Sequence, residues 1–122
     1  MSSRDDTVED HIPLKPDVLQ ILLALDRSAL HGYAILKAIE RATEGAIRLA
    51  PSPFYRKLKR LTEQGLVEES DERPTPELDD ERRRYYRLTS LGRAVLRAEA
   101  RRVVELASDA RFLRLADASP AD

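Results

Sequence analysis

The chain has no cysteine and no tryptophan. Without cysteine there is no disulfide, no thiol nucleophile and no thiolate metal site, which suits a reducing, cytoplasmic setting. Aromatic residues make up only 5% while charged residues make up 35%, a balance that predicts a helix-rich, polar-surfaced protein rather than an all-β one. No apolar run approaches the ~20 residues of a membrane span. The opening segment MSSRDDTVEDH is acidic and has no apolar stretch, so it does not read as a secretory leader. The two histidines, His11 and His31, are too few for a zinc site in a chain without cysteine. There is no G-x-S-x-G, no G-x-G-x-x-G and no phosphate loop, and any Ser-His-Asp triad would have to use one of those two histidines. These absences set an enzyme aside: no catalytic residue, metal or cofactor is expected.

What is present is charge sorted into blocks. Net charge is −1, which alone argues against a polyanionic partner. Residues 1–13 hold four acids against one Arg, and residues 71–81 hold six against one. Residues 51–65, PSPFYRKLKRLTEQG, hold four cations against Glu63, and residues 82–87 hold four Arg and no acid. Local field governs binding more than net charge does. The stretch from Ala50 to Gly65 reads as one short helix, capped by Ser52, opened by Pro53 and closed by Gly65. Phe54, Leu58 and Leu61 form its apolar stripe, and Tyr55, Arg56, Lys57, Lys59 and Arg60 fill the other faces. A major-groove reader needs that pattern. A solvated surface helix carries it too, and this stretch alone does not choose between them.

The segments on either side supply context. Residues 1–13 read as a disordered tail, with His11 an exposed bystander. Pro16 to Arg27 reads as a first helix, apolar over more than half its circumference through Val18, Leu19, Ile21, Leu22, Leu23 and Leu25, and so demanding cover on two sides. A second helix is expected from His31 to Thr43, then a very short strand at Ile47–Leu49, then the basic helix, as in a helix-turn-helix unit. Residues 66–70 and 82–88 read as two strands joined by the acidic loop, which makes a wing with Arg82, Arg83 and Arg84 at its stem; Tyr86 and Leu88 would share one face of it and Tyr85 and Arg87 the other. Thr89 would cap one long helix from Ser90 to about Leu115, with Leu96, Val103, Leu106, Ala110 and Leu113 on one seam that Glu99 interrupts. At ~39 Å such a helix outreaches a small winged domain and predicts a second copy. The fold class is therefore mainly α (α+β): a disordered tail at 1–13, a winged helix-turn-helix domain with a two-stranded wing at 14–88, a long C-terminal dimerisation helix at 89–115 and a frayed tail at 116–122.

Four motifs in this order resemble the PadR family of winged-helix transcription regulators. They are His31-Gly32-Tyr33 followed by Ile35; Pro51-Ser52-Pro53-Phe54-Tyr55 with Leu58 and Leu61; Glu63-Gln64-Gly65-Leu66-Val67; and Tyr85-Tyr86-Arg87-Leu88-Thr89 with Gly92. Ser52-Pro53 and Phe54 depart from the family's usual Gly-Thr and Leu, and the wing loop is unusually acidic. The resemblance covers residues 14–115 and implies a sequence-specific DNA-binding regulator, a repressor acting as a homodimer on an inverted-repeat operator. It implies double-stranded DNA as partner and a small-molecule effector at the dimer interface. The residues expected to meet DNA are Ser52, Tyr55, Arg56, Lys59, Arg60, Arg82, Arg83 and Arg84. Those expected to form the dimer are Leu19, Leu22, Leu23, Leu96, Val103, Leu106 and Leu113. His31-Gly32-Tyr33 is expected to be a packed turn rather than a ligand site. The competing expectation is a winged-helix protein-interaction module without DNA affinity.

Overall fold

The structure is a computed structural model and describes residues 7–71 and 83–118. Among them are a 3-10 turn at Val8–His11 and five helices: α1 Pro16–Ala24, α2 Gly32–Ala42, α3 Pro51–Glu63, α4 Ser90–Ala107 and α5 Ala110–Asp117. Three short strands, β1 Leu30–His31, β2 Val67–Ser70 and β3 Tyr85–Leu88, form an antiparallel sheet in the order β1-β3-β2. Leu30 pairs with Tyr86, and Val67 and Ser70 pair with Leu88 and Tyr85. The architecture is the expected mainly helical winged helix-turn-helix. The sheet gains a strand because Leu30 and His31, the second of them read as the start of the second helix, lie along β3. Ile47–Leu49, read as a strand, has no ladder partner; the Ile47 N–H is instead taken by the Thr43 hydroxyl at 3.1 Å inside the α2–α3 turn.

One core serves the whole unit. Ile21, Leu22 and Leu25 of the α1 region meet Ile35 and Ile39 of α2, Phe54, Leu58 and Leu61 of α3, Leu66, Val67 and Leu88 of the sheet, and Val95 and Leu96 of α4. α1 is shorter than its apolar run predicts: its last turn tightens through the Leu25 N–H to the Leu22 carbonyl (3.1 Å), and Asp26 turns away to accept from Arg93 at 2.9 Å. α3 begins at Pro51, one residue ahead of the expected cap. Ala50 is the N-cap with no side-chain bond, and Ser52 lies inside the first turn, where the N–H groups missing at Pro51 and Pro53 cost nothing. Gly65 closes the helix in the left-handed region at φ 78°.

Residues 7–13, expected to belong to a disordered tail, are ordered. Asp10 accepts from the Thr7 N–H and hydroxyl at 3.0 and 3.2 Å, and Val8, Ile12 and Leu14 pack against the core. The seat for this segment is Glu99. That carboxylate is 1% exposed, accepts from the Leu14 N–H at 3.3 Å and holds Arg102 in two bonds of 2.7 and 2.9 Å. The Arg102 hydrogen bonds, with help from Leu14, keep the Glu99 carboxyl below the usual range despite its burial. An acid that reads as a break in an apolar seam is thus the anchor of an otherwise polar arm.

The expected single C-terminal helix is two. α4 runs 18 residues, which is ~27 Å. The chain breaks at Ser108, and Asp109 caps α5 by accepting from the Arg111 N–H at 2.7 Å. Asp109 also holds the Arg111 guanidinium, which lowers the carboxyl's pKa. An N-cap carboxylate that starts a new helix competes with continuing the old one, and the periodic seam does not register that competition.

Candidate nucleic-acid interface

The basic helix is held on three sides. Phe54, Leu58 and Leu61 are 1–3% exposed and set its core face. Lys57 reaches Asp17 of α1 at 2.9 Å. Burial raises the Asp17 carboxyl, but the Lys57 hydrogen bond and the Val18 N–H at 2.7 Å outweigh it, and the net shift is downward. On the other flank the Tyr55 ring lies against Gly32, so closely that a Cβ at Gly32 would overlap it, and it meets Phe54 edge-on at 4.9 Å. Tyr55 thus packs on the start of α2 rather than on α1, and still leaves 47% of its surface open.

With those directions fixed, about 100° per residue places Ser52, Arg56, Lys59 and Glu63 on the outward face. Arg60 sits on the flank toward α1, and Ser52, Arg56, Lys59 and Arg60 are all exposed. No carboxylate among the described residues forms an ion pair with Arg56, Lys59 or Arg60. The structure therefore brings Ser52, Tyr55, Arg56 and Lys59 to one surface, with Arg60 at its edge, and removes Lys57 from it.

The wing carries the remaining cations. Arg83 lies 3.1 Å from His31 Nε2, and Arg84 lies 3.8 Å from Glu69. Arg82 lies outside the described residues. His31 is the N-cap of α2: its Nδ1 accepts from the Ala34 N–H at 3.2 Å, and its ring meets Tyr85 edge-on at 5.3 Å. A neutral imidazole has one acceptor nitrogen, so the cap and Arg83 cannot both be served fully. His31 caps α2 and Gly32 is buried, but Tyr33 of the expected packed turn is 59% exposed. Tyr85, beside the His31 ring, is buried at 5% while Tyr86 is only partly so.

The expected dimer residues divide. Leu22 at 0% and Leu96 at 6% exposed are spent inside this chain's own core, and Leu19 is partly buried against it. Leu23 of α1 and Val103, Leu106 and Leu113 of α4 and α5 are 40–52% exposed, and the last three, with Val104, Phe112 and Leu115, leave apolar surface of α4 and α5 uncovered. No sequence pattern pointed to the Asp17–Lys57 pair, the Gly32–Tyr55 contact or the Glu99–Leu14 bond. Each joins residues far apart in the chain.

A helix-turn-helix whose second helix is basic and outward-facing, followed by a β-wing, defines a winged-helix protein. The family model for the "Transcriptional regulator PadR-like family" matches residues 21–98, and the chain belongs to that family, whose members are transcriptional regulators and not enzymes. An uncharacterised protein of Lysinibacillus sphaericus is 28% identical over 109 residues, covering 84% of this chain and 93% of its own. Among solved structures, RosR of H. salinarum is 27% identical with a TM-score of 0.61, covering 88% of this chain and 91% of that one. A transcriptional regulator from Clostridium thermocellum is 24% identical, TM-score 0.59, covering 73% and 83%. Bacillus subtilis PadR in complex with operator DNA is 23% identical, TM-score 0.57, covering 70% of this chain and 47% of that one.

Proposed function

We propose that the protein is a transcriptional repressor that binds an inverted-repeat operator as a homodimer, with α3 in the major groove and the β2–β3 wing on the backbone. The observation that carries this is the outward face of α3: Ser52, Arg56 and Lys59 together, unpaired by any described carboxylate, flanked by the half-open Tyr55. Arg and Lys so placed reach guanine edges, while Arg83 and Arg84 at the wing meet phosphates. The exposed apolar face of α4 and α5 supports the dimer. Burying one Leu or Val contributes roughly 1.5–3 kcal/mol, so Val103, Leu106 and Leu113 on two copies can offset the cost of association. A two-fold dimer sets the two α3 helices about 34 Å apart, one DNA turn. Electrophoretic mobility shift with the DNA upstream of the protein's own gene, run beside random duplex at several salt concentrations, tests the reading. Specific, salt-dependent binding by a dimer is the expected result. Absence of binding to either duplex at low salt would replace it with the protein-interaction module, the reading that the net charge of −1 keeps open.

A further inference from the structure

α3 carries four cations, and one of them is held unlike the rest. Arg56, Lys59 and Arg60 are exposed and form no ion pair with a described carboxylate. Lys57 Nζ lies 2.9 Å from Asp17 of α1, and the two side chains are 36% and 25% exposed. Of the ion pairs among the described residues, only Glu99–Arg102 is more enclosed. Enclosure matters, because exposed pairs are weak and screened by salt, and partly buried ones are screened less. The Asp17 carboxylate does not depend on Lys57 for its place. It accepts from the Val18 N–H at 2.7 Å in the first turn of α1, the end of the helix dipole that favours an anion. The start of that helix is fixed from α4. Leu14, three residues ahead of Asp17, donates its N–H at 3.3 Å to Glu99, which is 1% exposed and gripped by Arg102.

We propose that Asp17 withholds Lys57 from the phosphate backbone and so holds down the protein's sequence-independent affinity for DNA. At about 100° per residue, Lys57 lies just beyond Arg60 on the α1 flank of the outward face. A lysine freed there has four methylenes of reach toward the strand that borders the groove, and too poor a direction to reach the base edges. A phosphate contact carries no sequence information, and every cation that makes one adds the same salt-dependent affinity on any duplex. Specificity is a difference of affinities, so neutralising a cation that serves all sequences works against the wrong ones without touching the readers of the right one. Arg56 and Lys59 are left unpaired to read, while the cation between them in the chain is spent inside the protein. The withholding rests on the DNA-binding reading above; the Asp17–Lys57 pair does not.

The test uses the full chain and a random-sequence duplex, with affinity followed by fluorescence anisotropy across salt concentrations. Asp17→Asn keeps an acceptor for the Val18 N–H and frees Lys57. One added phosphate contact steepens the logarithmic salt slope by about 0.9 for each protomer bound, which over the decade from about 1 M to about 0.1 M salt is about eightfold tighter binding. The double variant Asp17→Asn, Lys57→Gln removes both charges and should bind as the parent does, at the parent's slope. A readout on the parent needs no variant: on titration with the duplex the Lys59 methylene NMR signals should shift and those of Lys57 should stay. An Asp17→Asn protein with parental affinity and slope, or Lys57 signals that shift as far as those of Lys59, would overturn the withholding and leave the regulator reading standing. A double variant that gains as much as the single one would also overturn it, because the gain would then come from losing Asp17's own repulsion of DNA. If the parent and Asp17→Asn both fail to bind random duplex and the DNA upstream of the gene at low salt, the regulator reading and the withholding fall together.

Discussion

Replacing Gly92 by Ala should destabilise the protein even though Ala is the better helix former. Gly92 lies in the first turn of α4, and a Cβ there would overlap the Leu66 carbonyl oxygen. That oxygen cannot move aside. It accepts from the Thr89 N–H at 3.1 Å, and the Leu66 N–H is tied to the Leu61 carbonyl at 3.0 Å as α3 ends. The Thr89 hydroxyl accepts from the Gly92 N–H at 2.9 Å and donates to the Gly65 carbonyl at 2.6 Å. The end of α3, the start of β2 and the start of α4 thus meet in one knot of backbone. Forcing a methyl into it costs about 1–3 kcal/mol as overpacking, and losing the Thr89–Leu66 bond adds about 1 kcal/mol. The propensity gain is at most about 1 kcal/mol and is smaller in a first turn. The net expectation is a loss of about 1–3 kcal/mol, read as a lower urea midpoint at unchanged slope and a Tm lower by about 4 °C for each kcal/mol. A Gly92→Ala protein as stable as the parent would refute the close approach of α4 to Leu66.

Gly32→Ala also meets a side chain, but the obstacle is the far end of the half-exposed Tyr55 ring, which can swing out; stability should change by less than about 1 kcal/mol while DNA affinity falls, measured by fluorescence anisotropy. Arg56→Ala and Lys59→Ala should each weaken operator binding by about 1–3 kcal/mol for a lost base contact, whereas Arg83→Ala should weaken all sequences alike and flatten the salt slope; equal operator affinity in the first two would displace α3 from the groove. Leu106→Glu with Leu113→Glu should give a folded monomer by light scattering, because both side chains are about half exposed within the protomer, and a persistent dimer would move the interface elsewhere. The folded pKa of Glu99 is depressed by Arg102, so its stabilisation is present above the unfolded value near 4.5 and is lost as pH falls through the lower folded value; hydrogen exchange at Leu14 should quicken over that acid range, and Glu99→Gln should remove the dependence.

The fold was legible in the sequence wherever a local rule decided it. The stripe of Phe54, Leu58 and Leu61, the closing Gly65 and the Thr89 cap each act within one turn of chain, and each is seen where the spacing put it. The misreadings have a common physical form. Ser52 and Pro53 make a good cap signal, but Pro51 satisfies the first turn equally well one step earlier. The seam from Leu96 to Leu113 keeps its period across a break, because a periodic pattern records which side is apolar and not whether the axis is continuous. Residues 7–13 look too polar to fold, and alone they would be; they are ordered by a carboxylate that lies 85 positions away from Leu14 in the chain.

The same distinction explains why the motifs carry more than their residues. His31-Gly32-Tyr33 and Pro51-Ser52-Pro53-Phe54-Tyr55 look like two helix starts, yet Gly32 exists in its place to admit the Tyr55 ring. Tyr85-Tyr86-Arg87-Leu88-Thr89 with Gly92 looks like a strand running into a helix, yet Gly92 and Thr89 face the Gly65–Leu66 backbone of the Glu63-to-Val67 motif. The four motifs are thus two contacts, each written in two separated pieces. One joins α2 to α3 and fixes the rotation of the basic face. The other joins α3 to α4 through the root of the wing. If two copies pack along α4 as proposed, a change in that packing would be felt at the end of α3 and at the wing's root, without passing through Arg56 or Lys59. The Gly92 variant probes that knot. If the knot couples α4 to the basic face, Gly92→Ala in a protein still folded and dimeric should alter operator affinity more than its affinity for random duplex. Equal losses on both would mean that the knot holds the fold together and transmits nothing.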